Sequence, residues 1–469
     1  MNIINGYNMG ILAGKKHIHF IGIGGSGMYP LAQILHSKGF YLTGSDNNET
    51  ETLDAVRKMG IPVTLGQKAE NIEGADLIVH TAAIMEDNPE LAAARKSGVP
   101  VIERSDLLGL ITKWYSDTIC VCGTHGKTTV TSLITQIFME AGRDISAVIG
   151  GKLPIIGGSG RCGESDTMVC EACEFMDHFL KLAPDTAVIL NVDADHLDYF
   201  KTLDNIIKSF HKFCEITTKN IIVNGDDKNS MTAVSGITGK NIVTFGMNST
   251  NDYYPENVTV ISPMCREFDL MHKGKKLVHL TLNIPGDHNI TNAVAAAAAA
   301  IVSGLTPDQL VKGMADFTGA KRRFEKLAEI NGITIADDYG HHPAELTVTL
   351  TAAMGMGFKR VWAVFQPFTF SRTAMLLDDF AKALSIADRV VLTSIMGSRE
   401  KNTYNIYTKD LAAKIDGAVW FEEEEHDANM KLVAEYLAEN VQPGDLVLTM
   451  GCGDCYKAAR LLISMLGKK

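Results

Sequence analysis

The sequence predicts an α/β protein of three domains, and three features of the chain predict it. Short β-branched and apolar runs alternate with helical periodicity along the chain, which is typical of parallel sheets covered by helices. Two of these runs lead directly into glycine-rich turns, at residues 22–27 and 123–126. The chain has 469 residues, enough for about three domains of ordinary size. We place the domains at residues 1–114, 115–318 and 319–469.

The composition is that of an ordinary globular protein and argues against several classes. Apolar residues make up 46% of the chain and charged residues 21%, which allows a large core. The formal net charge of −11 argues against nucleic acid as the main partner. The nine cysteines are scattered without metal-ligand spacing, which favours a reduced, cytoplasmic protein.

Neither a signal peptide nor a membrane span is indicated. The start of the chain has no charged segment followed by an apolar block and a cleavage site. The longest apolar run, Ala293–Val302, is too short for a bilayer, which takes about 20 residues. We therefore expect no membrane insertion, and we interpret residues 1–16 as a loose arm. Nothing in the sequence indicates the oligomeric state.

The first glycine-rich turn lies between a predicted strand, His17–Ile23, and a predicted helix, Met28–Ser37. It matches the pattern GxGxxG and comprises Gly22, Gly24, Gly25, Ser26 and Gly27. Asp46 follows 19 residues after Gly27, where a dinucleotide-binding unit places an acid for a ribose. Taken alone, the pattern indicates an NAD site. The same turn at a helix N-terminus accepts any diphosphate, so both ligands stay open.

Another strand of the first domain is predicted at Ala75–Val79 and ends at His80 and Thr81. Ligands of open α/β sheets bind at such carboxyl ends, which makes both residues candidates for the same site. An ordinary exit from a strand into a loop explains them equally well.

The second glycine-rich turn has the architecture of a phosphate-binding loop. A predicted strand, Thr118–Cys122, leads into the turn, a Lys-Thr pair and a helical pattern. Backbone N–H groups of the turn would surround an anion, Lys127 would reach the β- and γ-phosphates, and Thr128 would bind Mg²⁺. The loop is shorter than GxxxxGK[ST], since position 121 is Val. The alternative is a turn that contains Lys-Thr by chance. The candidate nucleotide-binding residues are Gly123, Thr124, His125, Gly126, Lys127, Thr128 and Thr129.

Two further predicted strands of the central domain, Thr167–Cys170 and Thr186–Leu190, end in acidic residues. Parallel strands beside a phosphate loop bring such ends close to the triphosphate. Glu171 can therefore bind Mg²⁺ directly or through water, while Glu174 is either part of the site or a solvated loop acid. His196 stands among three Asp residues and is a candidate ligand of a second metal; the alternative is a structural histidine.

The rest of the central domain carries weaker signals. The glycine-rich segment Gly150–Gly163 is interpreted as a mobile loop. Residues 241–283 alternate in a way that predicts antiparallel strands. Asn289 and Asn292 lie three residues apart on one helical face, where they either cap the helix or hydrogen-bond a purine.

The third domain is predicted to begin after a boundary at Phe317–Ala320. Three cations, Lys321–Arg323, would clamp phosphates or form a solvated face. Strand Ile333–Asp337 precedes the string DDYGHH, and Pro343 is well suited to begin a helix. The remaining predicted elements are Arg360–Phe365, Thr373–Leu384, Arg389–Thr393, Lys409–Ile415, His426–Glu439 and Leu446–Thr449.

Eight strings occur together in an order that resembles the Mur ligases of peptidoglycan synthesis. They are GIGGSGM, GTHGKTT, EACE, NVDADHLDYF, GDHN, RRFE, DDYGHHPAE and QPFTFSRT. The resemblance runs from residue 16 to the end of the chain. It implies a Rossmann-like N-terminal domain, a central P-loop ATPase-type α/β domain with antiparallel strands, and a Rossmann-like C-terminal domain that closes on ATP and the amino acid.

GIGGSGM and DDYGHHP resemble the branch of the family that adds L-alanine to UDP-N-acetylmuramate, and its tripeptide-adding relative. The resemblance implies an ATP-dependent ligase with ATP and Mg²⁺ as cofactors. It implies that the first turn and Asp46 bind the UDP-sugar, and that the second turn binds MgATP. Its implied magnesium ligands are Glu171 and His196. Its implied ATP contacts are Asn292, Arg323 and Asp338, and its implied amino-acid contacts are Tyr339, His341 and Arg372. The residues expected to act in the reaction are Lys127, His196, His341 and Arg372.

The chain departs from the family pattern at three places. Many relatives carry Asp where Cys173 stands, but the flanking glutamates remain, so we expect metal binding to be retained. Relatives often carry a basic residue at Thr369, which bears on the amino-acid pocket. Other Mur ligases use a carbamylated lysine where a gapless count puts His211. The alanine-adding branch lacks that lysine, so we assign no role there.

Parts of the sequence are also compatible with three functions other than the alanine-adding one. GxGxxG with Asp46 also fits a nicotinamide-dependent oxidoreductase, which leaves the second glycine turn unexplained. A nucleotide-dependent switch protein would need no pocket at DDYGHHP. A ligase that attaches a tripeptide to the same sugar nucleotide differs in the depth of the pocket more than in its motifs.

Overall fold

A computed structural model describes residues 9–82, 84–397, 400–423 and 425–467. Within them the chain forms two compact units. One comprises residues 9–261, 265–284 and 288–320, and the other comprises 262–264, 285–287 and 321–467. Part of the predicted N-terminal arm, residues 1–8, lies outside the described residues. Its described part contains a 3-10 turn, Gly10–Leu12, and Leu12 is buried, so that part is not a loose arm.

The first sheet of the larger unit has five parallel strands in the order β3-β2-β1-β4-β5. Apolar side chains of β1 and β4 are fully buried, as expected for a parallel sheet covered on both faces. The carboxyl ends of β1 and β4 meet at the point where the strand order reverses, which is where ligands of open sheets bind. The strands are β1 (His17–Ile21), β2 (Tyr41–Asp46), β3 (Val63–Leu65), β4 (Leu77–His80) and β5 (Val101–Glu103), and the helices are α1 (Tyr29–Ser37), α2 (Glu51–Lys58), α3 (Pro89–Lys96) and α4 (Arg104–Thr112).

The second sheet has ten strands in the order β15-β14-β13-β12-β11-β10-β6-β9-β7-β8. Strand β6, which precedes the phosphate-loop pattern, lies between β10 and β9 and runs parallel to both. The strands are β6 (Asp117–Cys122), β7 (Ser146–Leu153), β8 (Gly158–Arg161), β9 (Thr167–Glu171), β10 (Thr186–Ile189), β11 (Asn220–Asn224), β12 (Asn241–Phe245), β13 (Tyr253–Ser262), β14 (Cys265–His272) and β15 (Lys275–Leu282).

Six helices accompany this sheet. Helix α5 begins at the Lys-Thr pair, and every residue of α9 from Ala293 to Ala300, Val294 included, is fully buried. Small side chains allow this helix to pack closely. The helices are α5 (Lys127–Glu140), α6 (Leu197–Phe200), α7 (Leu203–Ile216), α8 (Lys228–Val234), α9 (His288–Val302) and α10 (Pro307–Ala315).

The third sheet belongs to the smaller unit and has the order β16-β17-β21-β18-β19-β20. Among the described strands of this sheet, only β16 and β17 pair antiparallel. Strands β17, β21 and β18 are parallel neighbours, so their carboxyl ends share one edge. The strands are β16 (Glu325–Ile330), β17 (Ile333–Asp338), β18 (Arg360–Phe365), β19 (Arg389–Leu392), β20 (Val419–Trp420) and β21 (Asp445–Met450). The helices are α11 (Pro343–Met354), α12 (Phe370–Met375), α13 (Leu377–Leu384), α14 (Thr408–Ala412), α15 (His426–Asn440) and α16 (Tyr456–Leu466).

The predicted mobile loop at Gly150–Gly163 is wrong. Strands β7 and β8 pair antiparallel there. Gly160 serves close packing instead, since a Cβ atom there would lie 2.5 Å from the Cβ atom of Pro30 on α1. The absence of a side chain at Gly160 therefore reflects contact with a neighbouring helix, not freedom of the backbone.

Two other elements differ from their predictions. Within residues 241–283, β14 and β15 are antiparallel as predicted, but β12 pairs parallel with β11. The helix predicted at Thr373–Leu384 is two helices, because Leu376 has φ −113° and ψ 23°. None of the helices in the described ranges combines the length and apolar character needed to span a bilayer.

Substitution of Gly109, on α4, tests the packing within the larger unit. A Cβ atom at this position would lie 2.3 Å from the backbone oxygen of Lys181. We expect Gly109→Ala to lower the free energy of unfolding by about 1–3 kcal/mol, the cost of overpacking a rigid backbone contact. Gly158→Ala is the control in the same unit, since its nearest atom would lie at 3.6 Å. Urea denaturation measures both, and equal stabilities would contradict the prediction.

Candidate active site

The first glycine turn and the end of β2 are joined by hydrogen bonds. Gly22 has φ +84°, and a Cβ atom there would lie 2.8 Å from Cγ2 of Thr81. Gly24 N donates to Oδ2 of Asp46 at 3.0 Å. The structure therefore brings the turn, Asp46 and Thr81 together, as the sequence predicts. The neighbouring His80 ring has Nδ1 3.0 Å from the Thr81 carbonyl oxygen.

Arg104 is a cation at this turn that the sequence reasoning missed. A Cβ atom on Gly27 would lie 3.0 Å from Cδ of Arg104 and 3.3 Å from its Nη1. Arg104 directly follows β5, so the rule that ligands bind at the carboxyl ends of parallel strands would have found it. Its guanidinium suits a diphosphate.

The second glycine turn is held in shape by Asn191, which follows β10. Thr124 N donates to the Asn191 carbonyl oxygen at 3.0 Å, and His125 N donates to Asn191 Oδ1 at 2.7 Å. Gly126 has φ +87°, and a Cβ atom there would lie 2.8 Å from Oδ1 of Asn292. The predicted ATP contact Asn292 therefore lies against the turn, while Asn191 was missed because its role is to shape the backbone.

Lys127 has three acceptors in the described protein. Its Nζ donates to the carbonyl oxygens of Gly123 at 2.5 Å and Thr124 at 3.2 Å. It also donates to Oε1 of Glu174 at 3.0 Å. Burial alone would lower the pKa of Lys127, but Glu174, Cys173 and Glu171 together outweigh it, and the pKa is raised. Lys127 is therefore a charged ammonium at the centre of the turn.

Glu174 is not a solvated loop acid. It is 2% exposed, and its second oxygen, Oε2, is buried without a hydrogen-bond partner among the described residues. Glu171, at the end of β9, accepts a hydrogen bond from Gly150 N at 2.9 Å. Both carboxylates face the Lys127 charge. Glu171 and Glu174 therefore place carboxylate oxygen atoms close to the phosphate loop.

His196 lies at the start of α6 in a left-handed backbone conformation, with φ 51°. Its ring centroid is 4.6 Å from that of Phe175, and Nε2 is 3.8 Å from Asp195 Oδ2. The side chain of Asp198 lies outside the described residues. Hydroxyl and carboxylate oxygens, as in Thr128 and Glu171, are the donors that Mg²⁺ prefers, so these two residues fit the predicted metal. No group of three His, Cys, Asp or Glu side chains forms a metal cluster within the described ranges.

In the smaller unit, Asp338 connects two segments at the edge of the third sheet. Its carboxylate accepts hydrogen bonds from Phe324 N and Gly340 N, each at 2.8 Å. Arg322 pairs with Asp337 at 2.8 Å and lies 5.0 Å from the Tyr339 ring. Arg322 is therefore engaged within the unit and is not part of a solvated face. Arg323 lies 5.6 Å from the same ring.

His341 and Arg372 lie at the same edge, where β17, β18 and β21 end. His341 Nδ1 is 3.2 Å from the Tyr339 carbonyl oxygen and 3.5 Å from Oε2 of Glu345. Burial lowers the pKa of His341, and the Arg372 charge contributes in the same direction. Nη1 of Arg372 is buried and has no hydrogen-bond partner among the described residues. The same cation lies near Cys452, whose pKa burial raises to about 11.

Three domain models of one family match the chain in succession. The Mur ligase catalytic domain matches residues 17–115, the Mur ligase middle domain matches 121–300, and the Mur ligase glutamate ligase domain matches 322–453. A UDP-N-acetylmuramate–L-alanine ligase from Caldanaerobacter subterraneus subsp. tengcongensis is 44% identical over 94% of this chain and 96% of the relative. The chain belongs to the Mur ligase family. A second such ligase, from Acetivibrio thermocellus, is 42% identical over 96% of each chain.

Solved Mur ligase structures share this fold. The UDP-N-acetylmuramate–alanine ligase of Thermotoga maritima superposes with a TM-score of 0.82 at 27% identity, over 97% of this chain and 99% of the other. A murein peptide ligase from Psychrobacter arcticus has a TM-score of 0.73 at 23% identity. The predicted family and the three-domain α/β fold are confirmed. Membership of this ligase family also confirms an ATP-dependent ligase and decides against the oxidoreductase and switch alternatives.

Proposed function

We propose that the chain joins L-alanine to the lactyl carboxylate of UDP-N-acetylmuramate in peptidoglycan precursor synthesis, in the cytoplasm. The observation that carries the proposal is the edge of the third sheet, where a buried guanidinium atom without a partner among the described residues accompanies a histidine of lowered pKa. An amino acid offers a carboxylate to Arg372 and an amine to His341. Curated relatives at 40–44% identity carry the alanine-adding name.

The same edge favours a single amino acid over a tripeptide. In an amino acid, the carboxylate and the amine are attached to one carbon atom, which suits a cation and a base that follow β18 and β17 at one edge of the sheet. In a tripeptide, many bonds separate the amine that would be acylated from the terminal carboxylate. A tripeptide would therefore need its carboxylate receptor farther from His341.

The proposed reaction proceeds through an acyl phosphate. A lactyl carboxylate oxygen attacks the γ-phosphorus of ATP. The bond between the γ-phosphorus and the β–γ bridging oxygen breaks, and ADP leaves with that oxygen. The amine of alanine then attacks the acyl carbon, and phosphate leaves. Lys127 offsets charge on the transferring phosphoryl group, while the turn fixes its position. Thr128, Glu171 and His196 would hold Mg²⁺, which neutralises phosphate charge when bound.

The site assignments extend over the rest of the predicted set. The first turn, with Asp46, His80 and Thr81, would bind the UDP part of the substrate. Asn292, Arg323 and Asp338 would contact ATP. We also propose boundaries after residues 114 and 318, with closure of residues 319–469 on the nucleotide and amino acid. The positions of the three family matches, 17–115, 121–300 and 322–453, support these boundaries.

ADP release with UDP-N-acetylmuramate and each single amino acid, or with a tripeptide, tests the proposed function. We expect release to depend on the sugar nucleotide and on L-alanine together. Release with the tripeptide but not with L-alanine would assign the chain to the tripeptide-adding class. Protection against heat by UDP-N-acetylmuramate, but not by NAD, tests the first turn separately.

His341 should show its role in the pH dependence of the rate. Its pKa is lowered, so the imidazole stays unprotonated at pH values below the ordinary histidine range near 6.5 and can accept the ammonium proton. Activity should therefore persist under mildly acidic conditions and fall only as the pH drops through this lowered pKa. His341→Gln should lower kcat about 100-fold and remove that acidic limb. His211→Gln, on α7, is the control. An unchanged acidic limb in His341→Gln would assign the proton to another group.

A further inference from the structure

Thr369, in the segment between β18 and α12, has a backbone conformation that its side chain disfavours. Its φ is +62° and its ψ is 146°, a combination in which a β-branched side chain crowds the neighbouring peptide groups. Residues in such conformations persist only where their surroundings hold them in place. Arg372, the proposed receptor of the amino-acid carboxylate, follows three residues later. The strained residue therefore lies within one turn of a residue of the candidate site.

Hydrogen bonds hold the backbone of Thr369 on both sides. Its N–H donates to the Met396 carbonyl oxygen at 3.0 Å. Its carbonyl oxygen accepts from Thr373 N at 3.1 Å and from Thr373 Oγ1 at 2.7 Å. Thr373 is fully buried. The two peptide groups that flank the strained φ and ψ are therefore both fixed.

The Glu400 carboxylate accepts the hydrogen bonds that the rest of this turn donates. Its Oε2 accepts from Ser371 N at 2.8 Å, and its Oε1 accepts from Ser371 Oγ at 2.5 Å. The Phe370 N–H and the Thr369 side chain also donate to this carboxylate. Burial would raise the pKa of Glu400, but these hydrogen bonds outweigh burial, and the pKa is lowered. Glu400 is therefore an ionised carboxylate that binds three successive residues.

The backbone of Arg372 continues from this turn. Arg372 belongs to α12, which begins at Phe370, and its N–H donates to Thr369 Oγ1 at 3.4 Å. Its Nη1 is buried without a hydrogen-bond partner among the described residues. The guanidinium lies close enough to His341 and Cys452 for its charge to act on both. Because no described group binds Nη1, the shape of the turn determines where this atom lies.

We propose that Glu400 is a positioning residue for Arg372, because its carboxylate holds the turn Thr369–Ser371 in the strained shape that places the guanidinium for the carboxylate of the incoming amino acid. Glu400 acts through the turn and does not touch the substrate. The role toward the amino acid rests on the proposed function. The hold on the turn stands on the hydrogen-bond geometry alone.

Two variants of Thr369 separate the strain from the hydrogen bonds of the hydroxyl group. Thr369→Ala removes Oγ1 but keeps a Cβ atom, so the strain remains, whereas Thr369→Gly removes both. At an unstrained position glycine is usually the less stable of the two, because it loses more conformational freedom on folding. Here the order should be reversed, with a higher melting temperature for Thr369→Gly than for Thr369→Ala. A higher melting temperature for Thr369→Ala would overturn the strained turn.

Amide hydrogen exchange measures the hold of Glu400 on the turn without any substrate. Glu400→Ala removes every acceptor that the carboxylate offers to Phe370 N and Ser371 N. Exchange at these two amides should accelerate at least about tenfold, because protection reports the free energy of local opening. Unchanged exchange in Glu400→Ala would overturn the proposal.

KM for L-alanine measures the positioning of Arg372. Glu400→Ala should raise it at least about tenfold, as expected when a charged hydrogen bond is misplaced, while KM for ATP should stay within about twofold. Glu400→Gln keeps one acceptor oxygen and should recover part of the affinity. Glu422→Gln is the control in the same unit, because Glu422 is exposed and accepts from Thr408 N at 3.2 Å; it should change neither constant. Equal rises of both KM values in Glu400→Ala would indicate a general loss of structure and would overturn the positioning role.

The double variant Thr369→Gly/Glu400→Ala tests whether Glu400 acts through the strained turn. A glycine adopts the conformation of residue 369 with less support from its surroundings, so the loss of Glu400 should have a smaller effect there. Relative to Thr369→Gly, the double variant should raise KM for L-alanine less than about threefold, since residues that act through one element have coupled effects. An equal rise in both backgrounds would overturn the proposal.

The proposed function can fail separately from the hold on the turn. Absence of alanine-dependent ADP release in the unaltered protein would contradict that function and the role of Glu400 toward the amino acid. Hydrogen exchange and the order of the melting temperatures would still decide whether Glu400 holds a strained turn.

Discussion

Lys127→Ala is expected to lower the rate of sugar- and alanine-dependent ADP release by about 100- to 1,000-fold, the usual cost of removing one preorganised charge from a transition state. Lys127 is the cation held inside the second glycine turn, and its raised pKa keeps it charged. ATP brings additional negative charge to this position, and the methyl group that replaces the Lys127 side chain in this variant cannot offset it. Initial rates at saturating substrates measure the effect. Full activity in this variant would refute the assignment of the phosphate loop.

The same substitution has a second, separable effect on stability. Glu174 is 2% exposed and pairs with Lys127, so Lys127→Ala leaves a buried carboxylate without its partner, which costs about 3–5 kcal/mol. The double variant Lys127→Ala/Glu174→Gln removes that charge. It should recover most of the lost free energy of unfolding but none of the activity. Recovery of activity in the double variant would mean that Lys127 acts only by keeping Glu174 paired.

The single variant Glu174→Gln should change ATP binding and turnover in opposite directions. Glu174 now competes with an incoming phosphate for Lys127 Nζ. An amide competes less for the ammonium, so KM for ATP should fall, while kcat should also fall because Lys127 loses the partner that orients it. A rise in KM together with a fall in kcat would instead indicate a general disturbance of the turn. Separate titrations of ATP at saturating alanine measure the two constants.

The strands and turns of the site could be predicted because their causes are local. β-Branched runs favour strands, and glycines at positive φ permit turns that other residues resist. Gly22 and Gly126 have this conformation, and both were predicted as turn residues. Parallel strands then bring their carboxyl ends to one edge, so the sequence alone predicts Glu171 beside the phosphate loop.

Other parts of the site depend on contacts between segments far apart in sequence. Arg104 reaches Gly27 from the start of α4, and Asn191 shapes the phosphate loop from the end of β10. Burial of Glu174 arises from the packing around it, which no local pattern reports. Gly160 shows the same limit. The glycine-rich composition around it suggests mobility, but close contact with Pro30 explains why this position is a glycine. Local composition predicts backbone freedom, but not whether a neighbour uses the space.

Arg372→Met is expected to raise KM for L-alanine by about 10- to 100-fold, because it removes a charged hydrogen bond to the substrate carboxylate, which is worth about 1.5–3 kcal/mol. Nη1 of Arg372 is buried without a partner among the described residues, so the substrate is the group that would satisfy it. KM for ATP should change little. Arg372→Lys should recover only part of the affinity, since an ammonium lacks the planar fork that binds a carboxylate through two bonds.

Stability distinguishes this role from an ordinary structural one. A buried donor without a partner costs free energy, so Arg372→Met should leave the free energy of unfolding equal or higher even as alanine binding is lost. Arg389→Met is the control, because Arg389 is exposed and donates to the Asp388 carbonyl oxygen at 2.8 Å; it should change neither quantity. A structural arginine would behave in the opposite way, with a loss of stability and an unchanged KM. Opposite changes in stability and affinity at Arg372 would mean that its unsatisfied guanidinium is retained for the substrate.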